Sequence, residues 1–209
     1  MPINTEPSTV LIELHYLPCV HYFSVFNKNN TLLLEACENY QKQSYRNRTR
    51  ILTAQKTDEL SIPVVSGNSH LPIKEIRIDH QQKWRIVHQR SIRSAYGKSP
   101  FFEHYADKIL GLYDKPIPFL FDFNLTCLTV CLDLLGWKNK IELTTDYQEI
   151  NTDSAVLVKD QRGFIHPKSE PNIPFKHYQQ VFGKQFEPNL SILDLLFCEG
   201  NNSTSCLNK

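Results

Sequence analysis

Two imidazoles, His15 and His21, stand where the apolar run Val10-Leu11-Ile12-Glu13-Leu14 gives way to His15-Tyr16-Leu17-Pro18-Cys19-Val20-His21-Tyr22. An unperturbed imidazole titrates near neutrality, so either histidine can act as a general base or stabilise charge developing on a bound phosphate. If the run is a buried strand, both lie just past its carboxyl end, where α/β sheets collect ligands. A helix starting there adds free backbone N–H groups for an anion. Tyr16 lies between the two histidines. The same residues also suit a structural pair, one histidine satisfied in the core and the other in solvent. Cys19 is the one cysteine placed for nucleophilic chemistry, although sequence neighbours seldom have the geometry a Cys-His pair needs.

Arg46, Arg48 and Arg50 recur at every second position, flanking Asn47 and Thr49. On a strand they share one face, and guanidiniums on one face can grip a phosphate or carboxylate bidentately. The alternative is a charged edge strand protected against aggregation. Further candidates for substrate binding are His88 and Tyr96, grouped with Arg90 and Arg93 on a helix beginning at Trp84, and Lys168, beside His166 on a loop. Cys127 and Cys131, four apart on an apolar helix, read as buried structural thiols.

These groups need a scaffold. The 209 residues, 41% of them hydrophobic, suffice for a substantial core, and one domain is expected. Twenty-three Lys and Arg against 22 Asp and Glu leave a net charge of +1, which argues against nucleic acid or an anionic lipid surface as partner. Six scattered cysteines lack metal-ligand pairing and the density of a secreted disulfide scaffold, so reduced thiols in the cytoplasm are expected and no metal is implied. The first residues show no secretory signal. The apolar stretch 119–137 is interrupted by Asp122, Asn124 and Asp133, so it reads as a core helix and membrane insertion is not expected.

The pattern predicts an α/β fold: an N-terminal strand-helix-strand unit with a mixed sheet, followed by a mainly helical C-terminal half. Strands are expected at 10–14 and 32–37, joined through a helix at 21–27 with the strands parallel. Further strands are expected at 45–53, 60–65 and 73–78, with a turn at 66–69. Helices follow from 84 to 97, 101 to 113 and 121 to 136, with a strand at 141–144. Residues 151–174 read as an irregular excursion with a turn at 159–163, then short helices at 175–182 and 191–197. Asn189 or Ser191 is expected to cap the second of these, with Asp194 three residues after Ser191 at a capping-box-like spacing, and the tail 201–209 is expected to fray. The three parts are 1–80, α/β and β-rich; 81–200, mainly helical; and the tail.

Taken in order, several blocks resemble the WbqC-like family of bacterial proteins. They are Tyr16-Leu17-Pro18 before an aromatic helix, Tyr45-Arg46-Asn47-Arg48, Leu60-Ser61-Ile62-Pro63-Val64 and the stretch from Tyr96 to Tyr105. Ile165-His166-Pro167-Lys168, Tyr178-Gln179 and Asn189-Leu190-Ser191-Ile192-Leu193-Asp194-Leu195-Leu196-Phe197 complete the series. His15, His21 and Cys198 stand where the family often carries Gln, Gly and Asn, whereas Asn47 and Arg48 match its pattern directly. The resemblance implies a place in surface-polysaccharide or O-antigen biosynthesis.

The function expected is therefore a cytoplasmic enzyme that transfers a group to, or modifies, a nucleotide-linked sugar. In it Arg48, with Arg46 or Arg50, holds phosphate or carboxylate, Asn47 orients a polar substituent, and His15 or His21 is the base. The competing expectation is a non-catalytic accessory subunit that uses the arginines to hold an anionic ligand. No cofactor is implied, since the chain has neither a Gly-rich dinucleotide fingerprint nor a P-loop.

Overall fold

A computed structural model describes residues 8–65, 70–147, 158–169, 171 and 173–207. The expected turn at 66–69 and much of the expected excursion from 151 onward lie outside them. Strand β1 (Thr9–Glu13) carries the first apolar run and is buried from its second residue on. It leads through helix α1 (Val20–Ser24), shorter than the sequence suggests, to β2 (Thr31–Glu35). β1 and β2 pair in parallel, Val10 opposite Leu32 and Glu13 opposite Glu35. The near-continuous hydrophobicity of both strands follows from burial on both faces.

The hairpin β3 (Arg48–Leu52) and β4 (Thr57–Ser61) comes next, antiparallel, with Arg50 opposite Glu59. Residues 73–78 do not form the expected strand. Pro72 leads into a short 3-10 helix over Ile73–Glu75, and Ile73, Ile76 and Ile78 reach the core from irregular backbone. Helices α2 (Trp84–Tyr96), α3 (Phe102–Gly111) and α4 (Leu120–Leu134) match the helical periodicity. α2 buries Trp84, His88, Ile92, Ala95 and Tyr96, a stripe at helical spacing. No helix among the described residues is long and apolar enough to cross a membrane.

Strand β5 (Ile141–Leu143) pairs with β2, and β6 (Val158–Asp160), which the sequence conceals, pairs with the other side of β1, both in parallel. The sheet order β5-β2-β1-β6, together with the hairpin, gives the α/β architecture with parallel and antiparallel pairing. β6 escapes detection because Lys159 and Asp160 are exposed at a sheet edge and read as a turn.

Residues 175–182 are extended rather than helical, because their polar side chains reach long-range partners. Tyr178 donates to Asp194 and Gln180 donates to both Asp194 and the Glu187 carbonyl. Helix α5 (Ile192–Glu199) is capped by Ser191, whose Oγ accepts from Leu193 N, a tighter closure than the capping-box spacing suggests. The tail does not fray from residue 201. A 3-10 turn over Gly200–Asn202 leads into α6 (Ser203–Leu207), which buries Ser203 and Leu207.

Candidate functional site

β1 sends its chain to β2 on one side while β6 lies on the other, so the carboxyl ends of β1 and β6 form the switch point at which α/β sheets leave a crevice. Glu13 ends β1 there, fully buried, and its carboxylate accepts the backbone N–H of Gly163 at 3.1 Å on each oxygen. Two residues on, on the same side of the extended chain, His15 places Nε2 3.4 Å from Glu13 Oε1. The His15 ring lies between those of Tyr22 and Tyr45, with centroids at 5.0 and 5.5 Å.

The two groups set each other's protonation. Burial pulls the Glu13 carboxyl upward, but the hydrogen bond and charge of His15, with the charge of Arg46, outweigh it and hold the group at about 2. Burial pushes the His15 imidazole below its ordinary value and prevails over the pull of Glu13. At neutral pH the pair is thus a carboxylate and a neutral imidazole. Its Nε2–H donates to Glu13, leaving Nδ1 as a bare lone pair. Among the described residues Nδ1 has no hydrogen-bond partner. This is the geometry of an oriented general base.

The turn beyond His15 is built under strain. Leu17 has φ +40, and its carbonyl accepts from both Thr49 Oγ1 at 2.8 Å and Ser191 Oγ at 3.0 Å. A non-glycine residue stays in that region only where its surroundings over-determine it. The surroundings here are β3 and the start of α5. Val20 N donates to Leu190 O, and His21 N donates to Asn189 Oδ1, which fixes the start of α1. His21, on α1, is buried, with its ring edge-on to Phe164 at 5.6 Å.

The alternating arginines do not act as one face. Arg46 precedes β3 and is buried, binding Glu38 through Nε at 2.7 Å and Nη2 at 2.5 Å, with Glu13 at 3.7 Å. Its backbone carbonyl accepts from Asn124 Nδ2. Asn47 is spent on the hairpin, donating to the Ile62 carbonyl at 2.9 Å. Arg48 pairs with Glu59 across the hairpin at 3.0 Å, half-exposed, and Arg50 pairs with Glu187 at 3.0 Å.

Tyr16 and His88 meet each other, but away from His15. The Tyr16 hydroxyl bonds His88 Nδ1 at 2.8 Å and Tyr113 at 2.5 Å, in a cluster with Trp84 and Phe123. Burial pushes His88 down to about 4. Tyr96 packs on Phe197 with ring centroids at 5.2 Å, also apart from His15. Burial pushes the Cys19 thiol up to about 11, which suppresses the thiolate.

Lys168 and Arg50 do converge. With Tyr45, Asn189, Ile173 and Phe175 they line a cavity of about 510 Å³. The Tyr45 ring is its wall toward His15. Several members of this site escaped the sequence reading. Glu13 was detectable as the lone charge in an apolar parallel strand, two residues before a histidine. Glu38 and Gly163 gave no such signal: Glu38 falls in a polar loop, and the partner of Gly163 is Glu13, far away in sequence. Neither did Arg162, which bonds Glu35 at 2.7 Å and Asp160 at 2.8 Å over the neighbouring strand ends. His166 is oriented by its own loop, accepting the Lys168 N–H on Nδ1 at 3.1 Å, so its Nε2 carries the proton. Among the described residues no group of three or more His, Cys, Asp or Glu side chains is placed to hold a metal ion.

Comparison with known proteins brings one family forward. The model of the WbqC-like protein family matches residues 14–163 and 164–206, spanning the strand end, the arginine segment, the loop of Lys168 and α5. Among curated proteins, the Uncharacterized protein Rv1507c of Mycobacterium tuberculosis (strain ATCC 25618 / H37Rv) is 25% identical over 216 residues, covering 91% of this chain and 93% of its own length. No solved structure matches the chain.

Proposed function

The chain belongs to the WbqC-like protein family, and from that premise we propose that it is a cytoplasmic enzyme of bacterial surface-glycan precursor metabolism acting on a nucleotide-linked sugar. The observation that carries this reading is the buried Glu13–His15 pair at the strand-end crevice, with a bare imidazole nitrogen beside a cavity lined by cationic groups. Lys168 and Arg50 hold the anionic part of the substrate. His15 Nδ1 takes a proton from the sugar's hydroxyl or amine as that group attacks, and Glu13 steadies the imidazolium so formed. The His15 imidazolium then passes that proton to the group departing from the donor, which restores the neutral base. Tyr45 separates His15 from the cavity, so the substrate must turn this ring aside to reach the base. The family's association with surface-polysaccharide clusters supports the choice of substrate class.

The test is a panel of nucleotide sugars, each examined by thermal shift and, with candidate group donors, by mass spectrometry for product. A nucleotide sugar that raises Tm in the wild type, loses the shift in Lys168→Ala with Arg50→Ala, and is turned over by the wild type but not by His15→Gln bears the reading out. Binding without turnover under every donor favours the accessory-subunit role. No shift with any nucleotide sugar sinks the substrate class.

A further inference from the structure

A second cavity, of about 470 Å³, lies against the first. Val20 and Ser24 of α1, Ile173, Pro174, Phe175 and Lys176 of the extended segment, and Cys206 and Leu207 of α6 line it. Ile173 and Phe175 line both cavities, which adjoin at these residues. The first cavity is polar, with Arg50, Glu187, Lys168 and Tyr45, and the second is mostly apolar. Lys176 stands at the rim of the apolar side, its ammonium 3.4 Å from the Ser205 carbonyl. Among the described residues Lys168 has no carboxylate partner, whereas Arg50 has Glu187.

We propose that the two cavities together bind an amphiphile, an unbranched acyl chain on an anionic headgroup, with the chain among Val20, Pro174, Phe175 and Leu207 and the headgroup at Lys168 and Arg50. An apolar pocket next to Lys168, which has no carboxylate partner among the described residues, selects this ligand chemistry by two separate forces. Burial of methylenes gives affinity that grows with chain length, by about fourfold per CH₂. The cations discriminate against a neutral head. The headgroup can come from a phosphate-bearing coenzyme, as in an acyl thioester, or from a free carboxylate or phosphate ester. The inference starts from the site named in the proposed function and adds a second ligand class, which competes with the nucleotide sugar for Lys168 and Arg50.

Cys206 supplies the readout. Of the six cysteines, Cys19, Cys127, Cys131 and Cys198 are buried, so in a Cys37→Ser variant Cys206 is the thiol left open to iodoacetamide. The probes are hexanoyl- and decanoyl-coenzyme A, decanoate, decyl phosphate and, as the neutral control, decyl maltoside, all below their micellar concentrations. At about ten times its Kd a bound chain slows alkylation of Cys206 roughly tenfold by mass action. The proposal expects protection by at least one anionic probe, greater for decanoyl than for hexanoyl, with the protecting headgroup identifying the source. It also expects that protection to weaken in Lys168→Ala and in Ser24→Trp, which narrows the apolar cavity from the half-buried face of α1.

Equal alkylation rates with and without every probe overturn the proposal, as does protection by decyl maltoside equal to that by the anionic chains. Undiminished protection in a folded Ser24→Trp variant overturns it too. Chain binding without any nucleotide-sugar response sinks the proposed function and leaves this inference standing. Nucleotide-sugar binding with no chain protection does the reverse.

Discussion

His15 holds its two ring nitrogens in opposite states. Nε2 is committed to Glu13, and Nδ1 is bare in a site where burial keeps the ring neutral. Its pKa lies below the ordinary 6.5, so the acid limb of a kcat/KM profile should fall below that pH; a limb at or above 6.5 assigns the base to another group. His15→Gln replaces the imidazole with an amide that can still donate. It should keep a donor to Glu13 and near-wild-type stability while abolishing turnover. His88 gives the parallel prediction for stability. Its pKa is lowered from 6.5 to about 4, so between those values the unfolded chain binds more protons than the folded one. The contribution is complete above about pH 6.5 and is lost as pH falls toward 4, about 3 kcal/mol in all. Tm measured from pH 7.5 to 4.5 should drop less steeply in His88→Phe than in the wild type. Equal slopes remove His88 as a source of acid sensitivity.

At the scale of elements, the parts that repeat locally were legible and the parts defined by distant partners were not. β1, β2 and the helices α2 to α4 declared themselves through continuous apolar runs and helical spacing, and the strand-end position of His15 followed from them. The arginine segment misled because alternation fixes a common face only within a strand. Arg46 lies ahead of β3 and turns inward to Glu38, a partner eight residues back. β6 and the extended run 175–182 were hidden because exposed polar residues and tertiary hydrogen bonds decide them, not periodicity. The Gly163 turn that follows β6 shows what that concealment hid. Its φ is +69, nothing crowds a Cβ there, and its N–H binds Glu13. Gly163→Ala should therefore cost only the left-handed backbone penalty, about 1–2 kcal/mol. Gly200, at φ +55, faces the Phe101 ring, so Gly200→Ala adds overpacking of about 1–3 kcal/mol to the same penalty. Urea unfolding should rank Gly200→Ala below Gly163→Ala in stability, whereas turnover should suffer more in Gly163→Ala. A reversed order in turnover uncouples the turn from the base.

For the whole molecule, the site depends on both ends of the described chain being packed together. The carbonyl of Leu17, two residues past His15, is held by Ser191, and α1 and α5 are both covered by α6. The tail is therefore part of the fold that positions His15, although its polar composition suggests a frayed end. Leu207 is buried and Ser203 Oγ donates to the carbonyls of Leu195 at 3.2 Å and Gly200 at 2.7 Å. Burial of a leucine contributes about 1.5–3 kcal/mol and a net hydrogen bond about 1 kcal/mol. Deleting residues 203–209 should then cost on the order of 3 kcal/mol. At about 2–4 °C per kcal/mol for a chain of this size, Tm should fall by roughly 6–12 °C. The deletion also exposes Val20 and its neighbours on α1, so binding of a hydrophobic dye to the native state should rise before the transition begins. An unchanged Tm and no added dye binding would mean that α6 is only lightly docked, and that the strand-end site stands without its C-terminal cover.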